Sequence, residues 1–155
     1  MSGDTKAKFL GKLDADALLG FIKENIDPNA ESTIETEERT IDSKYHDEVI
    51  FLGEKEGVEN RTSGFIDFTY NGEKRSLYYR HRDVIWLDKY TFEQNIKQGT
   101  QELNGEVTLL TLEFDATAVE VMKKIAEFFE GYVKEKGCTY DGFYKVEKAK
   151  EQEQA

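Results

Sequence analysis

The chain has 155 residues, one proline, one cysteine and a formal charge of −11 from 32 acidic and 21 basic side chains. That length suits a single domain able to bury about 70% of its unfolded surface, and it excludes TIM barrels, full kinase folds and multidomain architectures. Cys138 alone excludes a disulfide framework or a cysteine-rich zinc site, no apolar run reaches the roughly 18–20 residues of a membrane span, and the negative charge opposes general binding to nucleic acid or anionic lipid.

The N-terminal run Met-Ser-Gly-Asp-Thr-Lys opens no signal-peptide core, which leads to an expectation of an intracellular, cytoplasmic protein. The first predicted element is a helix. Asp14 stands at its N-cap, Leu13 and Leu18 take the positions of a hydrophobic staple, and Leu18, Ile22 and Ile26 line one face. Asp27-Pro28 stops it, because the residue before a proline avoids the α region. The period then changes to two, and strands are predicted over residues 33–41, 45–52, 65–70, 75–79 and 107–114. Asn71-Gly72 is the strongest hairpin signal. Residues 53–63 read as a looser connection, Val84 to Leu87 continue the apolar pattern, and residues 88–104 fit a short helix or a long loop. The second helix repeats the opening of the first, with Asp115 as cap and Phe114 and Val119 as staple. Val119, Met122, Ala126, Phe129 and Val133 keep helical spacing as far as Gly137, a length of about 30 Å. A short edge strand is predicted over residues 143–146. The fold class is therefore α+β: an antiparallel sheet of about five strands between an N-terminal helix and a long C-terminal helix packed on one face. Residues 1–146 make a single domain, and residues 147–155 a frayed charged tail.

Charge is unevenly spread. Residues 1–60 hold 15 acids and 7 bases and residues 100–155 hold 12 and 7, but residues 61–99 hold 5 acids and 7 bases. The basic middle contains Lys74, Arg75, Arg80, His81 and Arg82 interleaved with Tyr70, Tyr78 and Tyr79. Such residues either pair across strands with carboxylates, the commoner outcome, or form the binding surface, since Tyr and Arg dominate interface energetics. Glu35, Glu37 and Glu38 head an acidic stretch that solvates an exposed edge or imitates a phosphate backbone. On a strand, Glu35 and Glu37 share a face about 7 Å apart.

Motifs of catalysis are thin. His81-Arg82-Asp83 matches the start of a kinase catalytic loop, but Asp88 stands where that loop needs a magnesium-binding Asn, and no glycine-rich phosphate loop precedes it. Arg61 to Phe68 resembles the RNP1 octapeptide of RNA-recognition motifs at most positions. Ser63 stands where that family places a base-stacking aromatic, which argues against RNA binding of this type. His46 and His81 lack the further ligands a metal site requires, and Cys138 has no identifiable base and orienting group. The residues imply no cofactor, no metal and no catalytic group.

Two segments carry a resemblance. Phe21-Ile22-Lys23-Glu24-Asn25-Ile26-Asp27-Pro28-Asn29-Ala30 closes the first helix. Glu120 to Tyr144 includes Val121-Met122-Lys123-Lys124-Ile125, Phe129-Glu130-Gly131-Tyr132 and Cys138-Thr139-Tyr140-Asp141. Both resemble segments of small uncharacterised proteins carried by bacteriophages and related mobile elements. The resemblance implies a small accessory protein in a host bacterial cytoplasm that contacts another protein. The leading expectation is a non-enzymatic acidic protein binding an unidentified basic protein partner, its sharper form being blockade of a nucleic-acid-binding enzyme. Two alternatives stand beside it. One is a small-ligand binder or enzyme with a pocket between sheet and long helix, lined by Tyr78, Tyr79, Arg80, Arg82 and Trp86. The other is nucleic-acid contact through the basic run at residues 74–82. Composition leaves the oligomeric state open.

Overall fold

The computed structural model describes residues 3–40, 49–52, 58–82, 85–88, 107–136 and 143–147. In chain order these form β1 (Asp4–Leu10), α1 (Ala15–Asn25), β2 (Glu31–Ser32), β3 (Glu35–Thr40), β4 (Val49–Leu52), β5 (Val58–Tyr70), β6 (Glu73–Arg82), β7 (Ile85–Asp88), β8 (Val107–Glu113), α2 (Ala116–Phe129), β9 (Tyr132–Lys134) and β10 (Tyr144–Lys145). Eight strands make one antiparallel sheet in the order β10-β9-β1-β8-β6-β5-β2, with β3 also paired to β5. β4 and β7 pair as a separate antiparallel ribbon, Ile50 opposite Leu87 and Phe51 opposite Trp86.

Alternation along the strands decides which face is covered. The registers set Thr5 opposite Leu112, Ala7 opposite Leu110 and Val133, Tyr79 opposite Leu110, and Ile66 opposite Leu77. Each of these is buried, and all but Thr5 are hydrophobic, so they form one continuous buried face. Both helices pack on it. Leu18 and Ile22 from α1, and Ala118, Val121, Met122, Ile125 and Ala126 from α2, belong to the same core as the strand residues. Every fully buried Leu, Ile, Val or Met contributes about 1.5–3 kcal/mol, which outweighs the cost of ordering two amphipathic helices there. The helices also meet each other, with the Phe21 ring 4.7 Å from that of Phe128 and 5.7 Å from that of Phe129. The opposite face of the sheet carries no helix among the described residues.

The α+β class and the antiparallel sheet agree with the sequence pattern, and so do both N-caps. Asp14 accepts from the Ala17 N–H at 3.3 Å and Asp115 from that of Ala118 at 2.7 Å. Several details are corrected. The sheet has eight strands, not about five. A strand, β1, precedes the first helix and lies between β8 and β9. Its alternation is carried inward by Thr5, Ala7 and Phe9, of which only Phe9 is strongly apolar. Residues 58–63 are not a loose connection, because they continue β5 and pair with β3 on one side and β6 on the other where the register reaches them.

The second helix stops at Phe129, a length of about 21 Å for its 14 residues. Glu130 turns into the left-handed region (φ 60°, ψ 54°), and the Gly131 N–H caps the Ala126 carbonyl at 2.8 Å. Gly131 then sits against the Phe9 ring so closely that a Cβ there would overlap it. Val133 is buried as part of β9, opposite Ala7, and not as a helical residue. Gly137 lies outside the described residues, as do residues 45–48 of one predicted strand.

Candidate functional site

The long β5–β6 hairpin positions most of the residues singled out by sequence. Asn71 and Gly72 both take positive φ (53° and 80°), the geometry of a two-residue hairpin turn, and Tyr70 therefore faces Glu73. Counting back sets Phe65 opposite Tyr78, Ser63 opposite Arg80 and Arg61 opposite Arg82.

This register divides the basic run between two faces. Tyr79 and His81 point to the helices and are buried. The Tyr79 hydroxyl donates to the Leu13 carbonyl at 2.6 Å, and burial pushes its pKa up to about 12. Arg75 lies on the same side, its side chain 10% exposed, paired with Glu73 at 2.9 Å and with the helix-capping Asp115 at 2.7 Å. Tyr70 donates to Glu120 at 3.0 Å. These residues hold the helices on the sheet. Tyr78 and Arg80 stand on the helix-free face, so Tyr78, Tyr79 and Arg80 do not line one pocket. The side chains of Arg82 and Trp86, with the whole of His46 and Cys138, lie outside the described residues.

The helix-free face gathers a different set. Phe65 is 45% exposed, and its ring lies 5.3 Å from that of Tyr78. Arg61 donates from Nη2 to the Tyr78 hydroxyl at 3.1 Å. Arg80 is half-buried between Ser63 and Leu109 in the register and makes no ion pair among the described residues. On the outer strand β3, Glu35 faces Ser63 and Glu37 faces Arg61, and both carboxylates are exposed and make no ion pair among the described residues. Glu38 faces Asn60 and has the opposite parity. Two of the three glutamates from the acidic stretch thus join Tyr78 and Arg80 on a single surface. Phe65 and Arg61 complete it, and neither had been assigned to a site.

The close approach of β2 and β3 to β5 depends on Gly64. Its φ is +155°, and a Cβ there would sit 2.6 Å from the Thr33 carbonyl oxygen and 2.7 Å from the Ile34 Cα. The Thr33 N–H instead bonds the Phe65 carbonyl at 2.9 Å. Phe65 is therefore presented beside a break in the edge, where glycine is required.

A cleft of about 710 Å³ lies between the end of α1 and the hairpin tip, its walls including Asp27, Asp67, Thr69, Lys74 and Arg75. Most of its polar groups are committed to structure. Asp27 accepts from the N–H groups of Asn29 at 2.9 Å and Thr69 at 2.7 Å, which hold its carboxyl below the usual carboxylate range. Asp67 accepts from Ser76 at 2.5 Å. Among the described residues no group of three His, Cys, Asp or Glu side chains is placed to hold a metal ion, and no helix is long and apolar enough to cross a membrane. Neither a protein-family model, nor a curated protein, nor a solved structure matches this chain.

Proposed function

We propose that this protein acts by binding another protein through the helix-free face of its sheet, without chemistry of its own. The observation that carries this reading is the exposed Phe65 ring against half-buried Tyr78, flanked by Arg61 and Arg80, neither of which pairs with a carboxylate among the described residues. Aromatic and arginine side chains at the centre of a patch, with charged groups around them, are the composition of an interface hot spot. Glu35 and Glu37 give that patch an acidic rim, and the net charge of −11 steers it toward a basic partner. Together with the resemblance to phage accessory proteins, this supports a role in a bacterial cytoplasm as a ligand of a basic host or phage protein. Blockade of a nucleic-acid-binding enzyme is its sharper form, with Glu35 and Glu37 in the place of phosphates.

The test is affinity capture from bacterial lysate at low and high salt with the native chain and with Phe65→Ala. A basic protein retained at low salt, released by high salt and lost with Phe65→Ala supports the proposal. Capture unchanged by Phe65→Ala, or no partner at any salt, overturns it.

One observation favours a second reading. The exposed Phe65 ring beside the half-buried Tyr78 ring on the adjacent strand, with Arg80 making no ion pair among the described residues, also suits stacking of single-stranded nucleic acid. Fluorescence anisotropy with a labelled oligothymidine at low salt separates the two, since only the second reading expects saturable binding that Phe65→Ala removes.

A further inference from the structure

One carboxylate fastens β10 to the rest of the fold. Glu135 Oε2 accepts from the Tyr144 hydroxyl of β10 at 2.7 Å and meets the Lys123 ammonium of α2 at 3.3 Å. The carbonyl of the same residue accepts from the buried Thr5 hydroxyl of β1 at 2.7 Å. The Glu135 backbone is thus fixed to the sheet while its side chain ties β10 to α2. The strand it holds is slight: two exposed residues, Tyr144 opposite Val133 and Lys145 opposite Tyr132. Alternation through residues 143–146 sends Tyr144 and Val146 to the helix side and Phe143 and Lys145 to the helix-free side. Val146 packs against the core, and its N–H donates to the Gly131 carbonyl at 3.1 Å. On the other side the Phe143 ring lies 4.8 Å from the Lys8 ammonium and contributes to its cover. Lys8 is 5% exposed and shares a rung with Leu109 and Arg80 on the helix-free face. A run of four residues therefore touches both faces of the sheet. Its few buried contacts are the mark of segments that open locally while the fold stays intact.

We propose that residues 143–146 form a strap that covers the Lys8 end of the helix-free face and opens as one unit, with Glu135 as its latch. Opening extends that face by Tyr132 and by the side of Lys8 on which Phe143 lies. This deepens the reading above and rests on it only for what the strap regulates. The conditions for opening follow from the surroundings of the latch. Among the described residues, the titratable or charged groups that meet the Glu135 carboxylate are Tyr144 from β10 and Lys123 from α2, and they hold it below the usual carboxylate range. β1 adds the uncharged Thr5 hydroxyl at the backbone. The adjoining Lys136 lies over the Phe114 ring at 5.0 Å, and Lys145 donates to the Glu130 carbonyl at 3.1 Å. The latch is therefore present above the ordinary glutamate value of 4.5 and is lost as pH falls through the lowered one. Acid opens the strap.

The test is hydrogen exchange read by NMR on the full chain, comparing the Val146 amide with that of Leu110, which lies between β1 and β6 in the middle of the sheet. In Glu135→Ala at pH 7, Val146 protection is expected to fall about tenfold or more, with Leu110 unchanged and the Phe143 and Tyr144 ring signals shifting together. Tyr144→Phe, which keeps the ring and removes the hydroxyl, is a second variant with the same direction of change. Taking the native chain from pH 7 to about pH 3 should reproduce the loss, after correction for intrinsic exchange, and add nothing in Glu135→Ala. Val146 protection unchanged in both variants, or lost only together with that of Leu110, overturns the strap. Ring signals that move separately overturn its opening as one unit. Affinity capture reads the regulation: a partner retained more strongly by Glu135→Ala than by the native chain supports it, and equal retention overturns it. Exchange needs no partner, so failure of the protein-binding reading in the Phe65→Ala test leaves the strap standing, and the reverse holds equally.

Discussion

Tyr79 shows how a single side chain can be read in two ways. In the sequence it belongs to a run of Tyr, Arg and His that resembles a binding surface. In the fold it is completely buried, and its hydroxyl holds the carbonyl of Leu13 just ahead of α1. Tyr79→Phe leaves that carbonyl without its donor and is expected to cost about 1–2 kcal/mol, read as a lower urea midpoint with unchanged slope. The pH dependence has a definite sign. Because burial raises the phenol from 10.0 to about 12, its contribution is complete below pH 10 and is lost as pH rises through the folded value. Alkaline unfolding should therefore steepen in that window in the native chain and be shallower in Tyr79→Phe. What made Tyr79 ambiguous is that a strand of period two sends neighbouring residues to opposite faces. The face is set only once the register is known. For this hairpin the register was available: Asn71-Gly72 fixes Tyr70 against Glu73, and counting back puts Phe65 beside Tyr78.

Single elements reveal what local patterns do and do not decide. Both helix starts were legible because capping is chemistry within four residues. Asp115 shows this at the N-terminus of α2. Burial raises its pKa, but the Ala118 N–H and the Arg75 guanidinium outweigh that and hold its carboxyl below the ordinary range. Its stabilisation is thus present above the unfolded pKa and lost as pH falls through the folded one. Asp115→Ala is expected to cost about 1 kcal/mol, the usual value of an N-cap, with the exposed part of the Arg75 pair adding little after solvent screening. Thermal melts at pH 7 and pH 3 should differ less for this variant than for the native chain. The end of α2 was not legible, because a tertiary contact sets it. Apolar spacing continues through Val133, but β1 needs a partner and Phe9 needs the space above Gly131. Gly131→Ala is expected to destabilise by about 1–3 kcal/mol by forcing the Phe9 ring aside, a shift that its aromatic NMR signals would report. β1 itself was missed because Thr5 and Ala7 are weak hydrophobic signals even though both are fully buried.

At the scale of the whole molecule, the sheet separates two tasks. Its helix side holds the packed interior, and its other side presents Phe65, Tyr78 and the two arginines. A chain of net charge −11 repels itself, so moderate salt should raise the melting temperature of the free protein while weakening capture of a basic partner. Opposite responses to the same salt, measured by calorimetry and by binding, would separate stability from recognition. The position of β1 has a further consequence, for the time at which the molecule takes shape. Asp4 to Leu10 run beside residues 107–113 and residues 132–134. A ribosome therefore exposes this strand long before either neighbour has been synthesised. Contacts so distant along the chain close slowly, and completion of this part of the sheet waits until residues 107–134 have emerged, with the β5–β6 hairpin the natural unit to form in the meantime.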